Sequence, residues 1–265
     1  MTGSQIRFID GAGYERYMGT WSQLAGRQFL EWLAPPAGWR WLDVGCGNGA
    51  FTEMLVEHCA PASVHGIDPS EAQIAFARAR QTTRSADFQQ GNAMALPFDE
   101  DAFDAAVMPL VIAFVPEPAK GVAEMARVVR PGGIVSAYMW DQPSGGFPYH
   151  ALMMEMRAAG VAVPQPPSPD ACRIEVLHDL WTNAGLTDVE TRSILVERTF
   201  ADFDDYWHTV RLGPSVGPPL AAMDARDLAR LEARMRELLP TDPHGHITYG
   251  ARANAAKGLV RKFHR

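Results

Sequence analysis

Cysteine is scarce in this sequence. Cys46, Cys59 and Cys172 stand far apart in a chain of 265 residues, too few and too scattered for a disulfide framework. No CxxC pair or cysteine–histidine cluster offers the spacing of a zinc site, so no metal is expected, and the thiol count fits a reducing, cytoplasmic compartment. Positive charge is also short. With 24 Lys and Arg against 31 Asp and Glu, the chain carries a net −7. The broad positive field that grips phosphate backbones is missing, and a nucleic-acid partner is not expected. Long apolar runs are absent as well. The longest, Ala105 to Val115, is interrupted by Pro109 and falls far short of the roughly 20 residues that cross a bilayer. The opening MTGSQIRFIDGAG has no apolar core of a secretion signal, so a soluble protein with no membrane partner is expected.

What the chain has is alternation. Arg40 to Val44 reads as a buried strand, Phe51 to His58 as a helix, and Val64 to Asp68 as a second strand followed by a helix that Ser70 can cap. Phe88 lies near a third strand and Phe103 to Met108 forms a fourth. A helix then starts at Pro118, presents Val122, Met125 and Val129 on one face, and stops before Pro131. Gly133 to Met139 is a fifth strand. Such alternation predicts a parallel sheet with helices on both faces. After residue 141 the pattern changes. A proline-rich loop spans Val163 to Pro169, a helix runs from about Ile174 to Ala184, and Thr187 to Arg198 reads as a sixth strand. Two helical segments follow, around Phe203 to Arg211 and along Leu220 to Leu238, before a last strand from Ile247 to about Val260.

The most telling stretch is LDVGCGNGA, Leu42 to Ala50. Three glycines in five residues, between a strand and a helix, make a turn that lets backbone press against a ligand. The string satisfies the relaxed dinucleotide pattern G-x-G-x-x-G/A. A dinucleotide would put its pyrophosphate on the following helix N-terminus, where Asp43 would repel it by roughly 1 to 4 kcal/mol at about 4 Å. An adenosyl ligand with a cationic amino-acid tail has the opposite need, so Asp43 tips the reading that way. Asp68, ending the second strand, suits a ribose diol in either case, or by itself could be no more than a helix cap.

Four segments in series, LDVGCGNGAF, VHGIDPS, QGNAMALPFDEDAFDAAVM and EMARVVRPGGIVSAYMW, resemble the successive motifs of class I S-adenosylmethionine-dependent methyltransferases. They are most similar to the methyltransferase type 11 subgroup typified by the ubiquinone and menaquinone biosynthesis methyltransferases. The resemblance covers residues 38–142. It implies a single domain, 1–265: an N-terminal lid helix in 1–37, a cofactor-binding core in 38–142, and a C-terminal part in 143–265 with a lid insertion at about 200–245. It also implies a Rossmann-like α/β fold, a seven-stranded mostly parallel sheet of order 3-2-1-4-5-7-6 with the last strand antiparallel. Asp43, Gly45 and Gly47 would hold the methionine end of S-adenosylmethionine, Asp68 the ribose with Pro69 beside it, Asn92 and Ala93 the adenine, and Met108 would lie under the ligand. S-adenosylhomocysteine would be the product. The chain departs from the common pattern at Asn92, where relatives more often carry Asp, and at Ala113, where many place a histidine.

Methyl transfer from a sulfonium is an in-line displacement that needs orientation and exclusion of water, with a base optional. Met108-Pro109-Leu110-Val111 stands where amino-group methyltransferases of adenine or glutamine carry an Asp/Asn-Pro-Pro-aromatic motif, and no Pro-Cys pair supports a cysteine nucleophile. A small-molecule acceptor, apolar or aromatic, is the expected partner. The stretch Tyr14 to Ser22 is aromatic and, by the resemblance, folds over the cofactor, with Tyr17 and Trp21 as contacts; plain packing of the helix is the alternative. His150 and His208 are the candidates for a base, and Arg252 and Asn254 are further candidates on the last strand. The rival readings are an NAD(P)-dependent oxidoreductase and a non-catalytic S-adenosylmethionine-binding regulatory protein. Oligomeric state is not legible.

Overall fold

The structure is a computed structural model that describes residue 13 and residues 15–261. Tyr14 and the rest of the opening segment lie outside the described residues. Seven strands form one sheet: β1 Arg40–Val44, β2 Ser63–Asp68, β3 Ala86–Gln90, β4 Phe103–Pro109, β5 Val129–Trp140, β6 Thr187–Phe200 and β7 Ile247–Leu259. Their order is β3-β2-β1-β4-β5-β7-β6. Strands β3 through β5 pair in parallel, and β7 runs antiparallel to both β5 and β6. Order and direction are those the family resemblance implies. The chain reverses its winding between β1 and β4, and in such open sheets the crevice at that switch point takes ligands.

The helices are α1 Thr20–Leu33, α2 Ala50–Cys59, α3 Glu71–Ala79, α4 Pro118–Val128, α5 His150–Ala158, α6 Ile174–Asn183, α7 Phe203–Arg211, α8 Gly217–Ala221 and α9 Ala225–Leu238. A π-type turn, Glu15–Gly19, leads into α1. The central strands β1 and β4 are buried along almost their whole length because helices cover both faces, whereas β3 at the sheet edge buries only Phe88. On one face Trp41, Tyr138 and Trp140 pack with Trp21, Phe29 and Phe51 from α1 and α2. On the other, Leu42, Val44, Met108 and Val135 pack with Val122, Met125 and Trp181 from α4 and α6.

Three boundaries differ from the sequence reading. Val129, expected on the helix face, instead opens β5 and pairs with Phe103. The register then shifts before Ala105 meets Ile134, so the strand carries Pro131-Gly132-Gly133 through an irregular stretch. The stripe from Leu220 to Leu238 is two helices, because Asp224 caps α9 by accepting from the backbone N–H of Arg226 and Asp227. Helix α5 is not signalled by a clear apolar period. Ser70 caps α3 as its sequence position suggests, accepting from the Gln73 N–H.

One ion cluster ties the N-terminal ends of three strands. The Asp104 carboxylate accepts from the Arg40 N–H at 2.8 Å and its Nε at 3.1 Å, and from Arg130. Burial alone would raise this carboxyl, yet the hydrogen bonds from Arg40 and Arg130 hold it down at about 2.

Candidate active site

Strand β1 delivers Asp43 into the sheet interior immediately before the glycine turn. The side chain is fully buried. Its Oδ2 accepts from the Thr52 hydroxyl of α2 at 2.6 Å, while Oδ1 has no hydrogen-bond partner among the described residues. Burial pushes the carboxyl up, the Thr52 hydrogen bond pulls it partly back, and nearby Asp68 pushes it up again, leaving it at about 7. Gly45 has φ +77°, and a Cβ there would lie 2.5 Å from the Val111 side chain. Gly47 also has positive φ, +52°, but the space where its Cβ would stand is nearly open, with only Gln73 Oε1 at 3.9 Å. One glycine is thus demanded by close packing, the other leaves bare backbone facing open space. Cys46, between them, is buried, and burial with two neighbouring carboxylates pushes its thiol far above the usual range, so it is no nucleophile.

Asp68, at the end of β2, braces the turn. Its Oδ2 accepts from the Gly47 N–H at 3.0 Å and its Oδ1 from the Ser70 N–H at 2.8 Å. Burial raises its carboxyl despite these two bonds. Each oxygen retains acceptor capacity for a further donor. Pro69 beside it is exposed, and its carbonyl accepts from Gln90. The segment after β3 is tied to the same place, since the Gly91 N–H donates to the Asp68 carbonyl at 3.1 Å. Asn92 is exposed and Ala93 half-buried. The Asn92 Oδ1 accepts from the Met94 N–H at 2.9 Å, which orients the amide so that its NH₂ is the group left for a ligand. Met108 is fully buried in β4. Of the residues expected to hold a cofactor, Asp43, Gly45, Gly47, Asp68, Pro69, Asn92 and Ala93 come together at the C-terminal ends of β1, β2 and β3, whereas Tyr17 and Trp21 stand in the π-type turn and α1.

The chain then passes from this turn to a second space within two residues. Val111 presses on Gly45, and Leu110 lines a narrow cleft on the other side, with about 50 Å³ of room inside it. Leu110 has φ +59°, an uncommon and costly conformation for a bulky side chain, fixed by its N–H donating to the Tyr138 carbonyl at 2.7 Å. The cleft draws on Tyr17 and Met18, on Met139, Trp140, Gln142, Phe147, Met153, Pro164 and Pro166, and on Pro214 and Ser215. These are the three stretches outside the shared motifs, apart from the ends of β4 and β5. Among the described residues, no carboxylate, histidine, lysine, arginine or cysteine lines it.

Tyr17 is buried, stacks on Tyr149 at 4.4 Å between ring centroids, and reaches the cleft. Trp21 is fully buried in the aromatic core, its N–H donating to the Tyr149 hydroxyl at 3.2 Å. His150 is half-buried at the start of α5 and His208 is exposed on α7; neither lines the cleft. Arg252 pairs with Asp141 at 2.8 Å, and the Asn254 amide donates to the Cys172 carbonyl at 2.9 Å, so both serve structural contacts. Sequence reasoning missed Thr52, Leu110, Val111 and Trp140. Thr52 carries no motif signal, and the others acquire their place from the fold.

Residues 42–137 match a family model described as a methyltransferase domain. Demethylmenaquinone methyltransferase of Clavibacter sepedonicus is 30% identical over 176 residues, 61% of this chain and 71% of that protein. An uncharacterized methyltransferase of Mycobacterium leprae is 36% identical over 115 residues, 43% of this chain, and the match spans only 42% of the relative's length. Among solved structures, a candidate methyltransferase of Bacillus halodurans superposes with a TM-score of 0.60 at 17% identity, covering 89% of this chain and 99% of that one. Phosphoethanolamine N-methyltransferase 2 of Haemonchus contortus, solved with S-adenosyl-L-methionine, gives 0.59 at 16% identity, covering 95% of this chain and 56% of that one. The fold and site thus define a class I methyltransferase architecture, and the chain belongs to the S-adenosylmethionine-dependent methyltransferase family. Among the described residues, no helix is long and apolar enough to cross a membrane.

Proposed function

We propose that this protein transfers a methyl group from S-adenosylmethionine to a small apolar or aromatic molecule held in the cleft beyond Leu110. The observation that carries the reading is Asp43: a fully buried carboxylate at a glycine turn, with one oxygen bonded to Thr52 and the other unpartnered. A buried carboxylate oxygen left without a donor is costly, and the ammonium of an amino-acid tail supplies both a donor and the opposite charge. A pyrophosphate would supply neither. Asp68 has lone pairs left for ribose hydroxyls, and Gly47 leaves the room a ligand needs.

When bound, the cofactor supplies an electrophilic methyl on a positively charged sulfur. The chain's part is to hold the two reactants in line and keep water out. Leu110 and Val111 separate the two spaces by a single strand end, and the apolar lining excludes water from the acceptor's side. Asp43, Asp68 and the backbone at Gly47 would hold the sulfonium so that its methyl carbon passes to the acceptor's lone pair while the carbon–sulfur electron pair stays on sulfur. No base among the described residues lines the cleft, so the acceptor enters with its nucleophilic atom already in reactive form. The Clavibacter relative, whose name carries demethylmenaquinone, is consistent in kind with an apolar ring compound.

The test is formation of S-adenosylhomocysteine from S-adenosylmethionine across a panel of hydroxylated and unsubstituted aromatic acceptors. Turnover with at least one apolar acceptor is expected. His150→Ala and His208→Ala should keep kcat within about threefold of wild type, whereas loss of a true general base typically costs a factor of about 10² to 10⁴. Binding of S-adenosylhomocysteine with no turnover on any acceptor would favour a regulatory protein instead.

A further inference from the structure

We infer that the indole N–H of Trp140 orients the acceptor, and that the acceptor is therefore an apolar molecule bearing a hydrogen-bond-accepting oxygen. The inference rests on the methyltransferase reading above and names the acceptor class for that same site. Trp140 closes β5 and lines the cleft. It is 2% exposed, and its Nε1 is buried with no hydrogen-bond partner among the described residues. The ring cannot easily turn to find one, because Trp21 packs edge-on against it with centroids 6.4 Å apart and planes at 84°.

Other buried indoles show what a satisfied N–H looks like here. Trp21 donates to the Tyr149 hydroxyl at 3.2 Å, and Trp181 to the Val135 carbonyl at 2.8 Å. Trp41 also has no partner among the described residues, but it lies on β1 and does not line the cleft. Trp140 alone of these combines an unpaired donor with a place on the cleft wall. An indole N–H can only donate, so what it recognises must accept: a carbonyl, ether, hydroxyl or phenolate oxygen. The remaining polar lining is Tyr17, Gln142 and Ser215, and no charged side chain joins them. A phosphorylated acceptor would leave its charge unpaired there, whereas a flat apolar ring with one oxygen matches both the Met- and Pro-rich walls and the single buried indole donor.

The experiment compares two probes of nearly equal shape, 1-naphthol and 1-methylnaphthalene, binding to protein saturated with S-adenosylhomocysteine. Wild type is expected to bind the hydroxylated probe about tenfold more tightly, the size of one well-made buried hydrogen bond. Trp140→Phe should shrink that ratio to within about twofold while leaving S-adenosylhomocysteine affinity unchanged. Equal binding of both probes to wild type, binding of neither, or an unchanged ratio in Trp140→Phe would overturn the inference. Failure of wild type to bind S-adenosylhomocysteine would instead strike the methyltransferase reading on which the inference stands. Should the variant fail to fold, ¹⁵N-indole spectra of the wild type decide. One buried indole N–H signal is expected to move with 1-naphthol and stay with 1-methylnaphthalene, and no hydroxyl-specific movement would overturn the inference.

Discussion

Asp43 occupies a position that costs the folded chain stability when it is empty of a cation. Its carboxyl is raised from 3.8 to about 7 by burial, against the pull of Thr52 and with the push of Asp68. Because the folded state holds the proton more tightly than the unfolded state, stability falls as pH rises from about 4 to about 7. Asp43→Asn should therefore melt higher than wild type at pH 8 without ligand, and this gap should close near pH 4. The same proton links to binding. An ammonium favours the ionised carboxylate, so wild-type affinity for S-adenosylhomocysteine should rise with pH up to about 7 and then level, and calorimetry on Asp43→Asn should show weaker binding without that rise. At Asp68, replacement by Ala should weaken binding by about 1 to 3 kcal/mol; unchanged affinity would mean the ribose is held elsewhere. Asn92→Asp should tighten binding several-fold, since a carboxylate can accept from the Met94 N–H and from the adenine amino group together. Both acids were legible because Asp43 stands next to the end of β1 and Asp68 ends β2, each within a motif. The unpartnered oxygen was not, since it depends on burial and on a threonine one helical turn past the glycines.

At the scale of elements, the glycine turn is held from outside by a single arginine at the end of α3. Arg80 Nε donates to the Asn48 carbonyl at 2.6 Å, Nη1 to Glu53 on α2 at 2.9 Å, and Nη2 to Glu15 in the N-terminal π-type turn at 2.9 Å. Its side chain is only 13% exposed, so these pairs are screened less than surface ones. Arg80→Ala should lower stability to chemical denaturation by about 2 kcal/mol and quicken proteolysis near residues 15–19, with weaker cofactor binding through the loosened turn. Sequence periodicity placed most elements within a residue or two. It misplaced Val129, because an apolar residue at helical spacing reads as helix until Phe103 competes for it across the sheet. It could not give Leu110 its positive φ, which follows from the Tyr138 carbonyl and the pressure of Val111 on Gly45.

At the scale of the whole molecule, the winding reversal between β1 and β4 sets the two ligand spaces back to back across one strand end. The cofactor side was readable because its residues are contiguous in short motifs. On the acceptor side the sequence pointed to the stretches outside the motifs but not to Leu110 or Trp140, because the wall is gathered from five separate stretches that share no spacing and meet only when β4 and β5 end together. On the proposed function, the glycine turn takes a cationic adenosyl ligand and not a dinucleotide. Isothermal titration of the wild-type protein with S-adenosylhomocysteine and with NADH and NADPH tests it most directly: saturable one-to-one binding of the first, lost in Asp43→Ala, is expected, and binding of a nicotinamide dinucleotide with none of S-adenosylhomocysteine would contradict it.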